Sequence, residues 1–223
     1  MKEASADNQP ASKLSEQEES GEGFDEIVKY TLPGFLAAFV VGAVLDFFGF
    51  HTSAVGQWLV RTLSGAGESV FEGIYAIRQR MRGASGSMAE AYGWGKLFGM
   101  GPPWIIDAVS RLAGIDVYGV ESFYIPYFYA LSDQIGANLS GLLFLLKKHD
   151  SRRSALRAYF HHPVMLTSLA IILIVPLGLL AVRMLGFSPT TQKYTALETI
   201  AANLCWLPPV VGWLGGKYIS KKR

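Results

Sequence analysis

The chain has 223 residues, half of them hydrophobic and only 17% charged, with a net charge of +2. No basic face with interleaved aromatics is present, which excludes nucleic acid as a partner. The single cysteine, Cys205, excludes an internal disulfide.

The first 29 residues hold eight acidic groups and three lysines in a Ser-, Gln- and Asn-rich context. Such a segment has too few apolar groups to bury, so residues 1–29 are predicted to be a disordered acidic tail. It also lacks the basic start and prompt apolar core of a secretory signal peptide, so the first apolar helix is expected to act as an uncleaved signal-anchor. Residues 30–223 are then one helical membrane domain.

A first span is predicted over 32–50, with Pro33 suited to an opening helical turn. Gly34, Ala38, Gly42 and Asp46 recur at intervals of four and form one stripe of small residues ending in a carboxylate. Such a stripe admits a neighbouring helix at close range. Asp46 there either serves an ion or proton path or pairs near the interface with a group such as Arg61.

Residues 51–122 carry six basic and six acidic groups and fit either side of a membrane. Val70, Ile74, Ile77 and Met81 share a helical face, with Glu68, Glu72, Arg78, Arg80 and Arg82 around the rest, as in an interfacial amphipathic helix. Gly93-Trp94-Gly95-Lys96-Leu97 lacks the distal glycine and the hydroxyl residue of a phosphate loop, so it is none. Pro102-Pro103 and the residues after them predict a second short helix closed by Gly114. Six aromatics between Tyr118 and Tyr129 fit an interfacial belt.

The second span is predicted over 123–146. It contains Asp133, Gln134 and Asn138, a polar group that burial in lipid would make costly, so it should face protein or water. It is the best candidate for a functional polar site, although a structural hydrogen-bond network between helices is the favoured account of it. The loop after it holds Lys147, Lys148, Arg152, Arg153 and Arg157 against one acid, Asp150. That loop fixes topology and contacts anionic lipid. His149, His161 and His162 lie in or beside it, where the cationic surroundings disfavour a metal.

The third span, 164–182, reads VMLTSLAIILIVPLGLLAV without a charge. At 1.5 Å per residue it is roughly 28 Å long, close to the thickness of a bilayer's hydrocarbon core. The fourth is predicted over 196–216. Thr195 and Glu198 fit a capping box, Pro208-Pro209 a kink, and Gly212 with Gly216 a close-packing pair.

The sequence therefore predicts an all-α, polytopic membrane bundle of about four spans with one or two interfacial helices. Lysine and arginine counts place the loop 147–162 and both termini in the cytoplasm of a cell-membrane protein, and residues 51–122 outside. Its partners are the lipid bilayer and other membrane subunits or further copies of itself; no residue pattern names a cofactor or a catalytic group. The leading expectation is a non-enzymatic subunit acting through helix packing. A small ion, proton or solute conduit using Asp133, Gln134, Asn138 and Asp46 is the alternative. A lipid-modifying enzyme using the loop histidines is the third.

Overall fold

The computed structural model describes residues 11–49, 53, 69–115, 125–184 and 207–220. The regular elements among them are all helices: α1 (Ala11–Phe47), α2 (69–81), α3 (Met88–Leu112), α4 (Ile125–Lys148), α5 (Arg152–His161), α6 (Pro163–Met184) and α7 (Leu207–Ser220). Among the described residues no single helix is long and apolar enough to cross a membrane. Residues 152–161 and 163–174, bent by 76°, reach that length and composition together.

Side-chain pairs set the direction of each helix. Glu26 meets Gln79 and Thr31 meets Glu72, so α1 and α2 run antiparallel. Gly93 lies on Ala76 and Gly73 on Leu97, which reverses α3 against α2. Gly95 approaches Ser140 and Gly99 approaches Asp133, reversing α4 against α3. Gly141 meets Met165 and Asn138 meets Ser168, reversing α6; Gly212 on Val164 and Gly215 on Pro163 reverse α7. The start of α1, the close of α2, the start of α3, the close of α4, α5 and the close of α7 thus share one end of the bundle. Arg78, Arg80, Arg82, Lys147, Lys148, Arg152, Arg153 and Arg157 are exposed there.

Three expectations are corrected. The tail does not stay unfolded to residue 29: α1 starts at Ala11, and Phe24 and Ile27 are fully buried. With Thr31 and Gly34 they form a stripe at three- and four-residue spacing, enough to dock the first part of a helix whose other faces there are largely polar. Residues 102–112 are not a separate short helix either. Ser87 accepts the Glu90 amide at 3.0 Å and Glu90 accepts the Gly86 amide at 2.6 Å, which starts α3 at Met88. The helix then runs through Pro102 and Pro103 because packing holds both sides: Gly95 and Gly99 against α4 before them, buried Asp107 and Ser110 after. Gly114, at φ +67°, closes it as expected, with the Ile115 amide reaching the Ser110 carbonyl at 2.8 Å. Because residues 69–112 form a returning pair, their basic turn lies at the same end as α5, not opposite it.

The α5–α6 corner follows from local chemistry. Ser151 caps α5 by accepting the Ser154 amide. His162 precedes Pro163, which bars the helical conformation, and stands extended at φ −83°, ψ 116°. Its carbonyl accepts the Leu166 amide, so one residue ends α5 and begins α6. Pro208 and Pro209 stand in the first turn of α7, where proline costs no hydrogen bond. Cys205, Arg61, Thr195, Glu198 and the side chains of Tyr118–Tyr129 lie outside the described residues, as do those of Ala38, Gly42, Asp46 and Gly216.

Candidate functional site: a buried ion cluster on three helices

Lys96 of α3 is completely buried at the middle of the bundle. Its Nζ lies 2.9 Å from Glu72 Oε2 on α2 and 3.4 Å from Asp133 Oδ2 on α4, and both carboxylates are also fully buried. Ser69 donates to Asp133 Oδ2 at 2.5 Å. The Thr31 hydroxyl lies 2.8 Å from Glu72 Oε1 and 3.0 Å from the Ile27 carbonyl of its own helix. One hydroxyl proton serves one acceptor at a time. When it points to Ile27, the Thr31 oxygen is free to accept a proton carried by Glu72.

The cluster exists because glycines bring the three helices together. A Cβ at Gly93 would stand 2.5 Å from the Glu72 carbonyl oxygen. At Gly95 it would run into the Gly136 carbonyl, and at Gly99 into the Ser132 carbonyl. Tyr92 closes one side, its ring centroid 5.7 Å from Lys96 Nζ, within reach of a cation–π attraction. Charges held away from water are stable only while they are paired and hydrogen-bonded.

A second polar layer continues from the cluster. Gln134 Oε1 accepts from the Ser168 hydroxyl and lies 3.5 Å from the Tyr92 hydroxyl. Asn138 spends both amide protons, on Ser168 Oγ at 2.6 Å and on the Gln134 carbonyl at 2.8 Å. Its Oδ1 accepts from Tyr159 of α5. Donors therefore point one way from α5 at the basic end to Gln134, the neighbour of Asp133.

Of the residues singled out in the sequence, Asp133, Gln134 and Asn138 come together here. Asp46 does not: fifteen residues beyond Thr31, its backbone is about 22 Å further along α1. Gly34 packs on Phe71, and Gly212 on Val164 and Phe24, so both small-residue positions are covered by the chain itself. The five basic residues of the 147–157 stretch are exposed at the bundle's end, Lys148 lying over the Phe144 ring.

The three histidines of that stretch do not converge. His149 meets Ser154 Oγ, His161 meets the Arg157 carbonyl, and His162 lies against Phe24. Burial lowers the His162 pKa from 6.5 to about 4, which keeps its ring neutral. Among the described residues no His, Cys, Asp or Glu group is arranged to hold a metal.

Lys96, Glu72, Ser69 and Thr31 were not singled out. The available signal was Gly95-x-x-x-Gly99 around Lys96, a close-packing pair that forces its neighbour toward another helix. No known family, curated protein or solved structure matches this chain.

Proposed function

We propose that the protein is a multi-pass membrane protein that passes protons or small monovalent cations through its helical bundle, with Glu72, Lys96 and Asp133 as the charge-selective centre. The observation that carries this reading is the cluster itself: two carboxylates on one ammonium, fully buried, on three different helices. Buried carboxylates beside an ammonium are groups that can exchange a proton or hold a small monovalent cation along an intramembrane path. The Thr31 hydroxyl, with its two acceptors, suits a proton on Glu72.

The distribution of apolar surface supports the bilayer. Leu36, Val40 and Val44 on α1, Ile105, Val109 and Leu112 on α3, Leu139 and Leu143 on α4, and Leu173, Ile174 and Leu177 on α6 are exposed, while Glu72, Lys96 and Asp133 are buried. Apolar faces of this extent are unfavourable in water and suited to lipid. The basic end fits the cytoplasmic side, and the alternating helices bring the start of α1 and the close of α7 to it.

A packing subunit would turn its small residues to other chains, whereas Gly34 and Gly212, the described positions among them, are filled from within. For an enzyme using His161 or His162, no catalytic group converges on either ring among the described residues.

Vesicles holding the purified protein and a pH-sensitive dye test the proposal. The wild type should acidify them faster than protein-free vesicles under an imposed potential. Asp133→Asn should slow this by about tenfold or more, since it removes the carboxylate that a membrane-embedded path requires. A wild-type rate equal to that of protein-free vesicles, with the pH-sensitive dye and again with a sodium- or potassium-sensitive one, refutes the reading.

A further inference from the structure

The charged centre does not use the outer surface of α5. This helix turns by 76° from the first half of α6, so it lies across the basic end instead of continuing along the bundle. Its circumference carries a buried face and an exposed apolar pair flanked by arginines. Ala155 and Tyr159 are buried against the bundle, with Tyr159 bonded to Asn138. Leu156 and Phe160, one turn apart, are exposed at 43% and 53%. Arg152, Arg153 and Arg157 are exposed, and Lys147 and Lys148 from the close of α4 join them. Across residues 147–161 five cations face a single acid, Asp150.

We infer that α5 is an interfacial helix that binds the headgroups of anionic phospholipids; this rests on the placement of the bundle in a bilayer. The exposed arginines and the exposed apolar pair together select the occupant. Guanidinium groups present paired donors that match a phosphodiester. Leu156 and Phe160 beside them fit the upper acyl region, as the apolar face of an in-plane helix does. A soluble anion would satisfy the arginines and leave both apolar side chains in water. Because Tyr159 shares the helix, a lipid held by α5 is linked to the polar layer that reaches Gln134.

The full chain, purified in detergent and titrated with phosphatidylglycerol, phosphatidylcholine or chain-free glycerophosphoglycerol, tests this by native mass spectrometry. Phosphatidylglycerol should bind at least about tenfold more tightly than phosphatidylcholine, given the attraction of each cation for an anionic headgroup. Arg152→Gln/Arg153→Gln/Arg157→Gln should weaken phosphatidylglycerol by about a hundredfold and leave phosphatidylcholine unchanged. Leu156→Ser/Phe160→Ser should weaken the lipid and not the chain-free headgroup. The substituted side chains are exposed, so helicity should be retained and circular dichroism checks it. Equal affinity for the two lipids, or a triple variant that binds like the wild type, overturns the inference. So does a chain-free headgroup that binds as tightly as the lipid. Extraction from native membranes by alkaline carbonate would instead overturn the bilayer placement itself. The flux measurement is independent of the lipid-binding outcomes.

Discussion

Lys96 is held 2.9 Å from Glu72 where neither side chain reaches solvent. Every charge in the contact has been removed from water, so its value depends on all partners being present. Lys96→Met takes the ammonium away from two buried carboxylates, and the expected cost is about 3–5 kcal/mol. Glu72→Gln/Lys96→Met/Asp133→Asn removes all three charges while keeping similar shapes, and should recover most of that loss. Thermal unfolding in one detergent compares the two; a single variant as stable as the wild type would show that the contact is not buried in solution.

The α3–α4 contact gives a second expectation. Gly95→Ala, Gly99→Ala or Gly136→Ala drives a methyl into the facing backbone, with an expected loss of about 1–3 kcal/mol each. Gly101→Ala, in the same helix, meets nothing within 4 Å and should not destabilise by packing. Equal unfolding temperatures for Gly99→Ala and Gly101→Ala would contradict the close approach of the two helices.

These glycines also mark where the sequence was legible and where it was not. The α4 polar group was readable because Asp133, Gln134 and Asn138 interrupt an apolar run, and a polar group there must find a partner. Gly114 was readable because a helix end needs a residue that tolerates positive φ. Glu72 was not, since on the α2 wheel it sits among Glu68, Arg78, Arg80 and Arg82 and looks like one more solvated charge. Only the approach of α3, allowed by Gly93 against the Glu72 carbonyl, buries it. Lys96 was hidden for a related reason: a lone lysine between glycines gives no periodic signal, and its two partners lie 24 and 37 residues away. The early start of α1 was masked by acidic residues on the faces that Phe24 and Ile27 do not occupy.

His162 makes stability depend on pH. Burial lowers its folded pKa to about 4 from 6.5, so the unfolded chain takes up this proton first as pH falls. The stabilisation is complete above pH 6.5, declines between 6.5 and 4, and amounts to about 3 kcal/mol over that window. Unfolding followed at pH 7 and pH 4.5 should show a steeper loss for the wild type than for His162→Gln. Equal losses would mean that the ring titrates normally in the folded protein.

Tyr159→Phe tests the link between α5 and the polar layer. It removes the donor to Asn138 Oδ1 while keeping the ring, and should cost about 1–3 kcal/mol because a buried acceptor is left unmet. Tyr159→Phe combined with Asn138→Leu should cost less than the sum of the two single changes. Strict additivity in a double-mutant cycle would separate the two residues.

Flux through the charge-neutralised triple variant is the most direct measurement of the central claim. Glu72→Gln/Lys96→Met/Asp133→Asn is expected to unfold near the wild-type temperature, yet to carry protons or monovalent cations into vesicles at the protein-free rate. A triple variant that folds and conducts like the wild type would contradict the account and leave the cluster a structural tie between α2, α3 and α4.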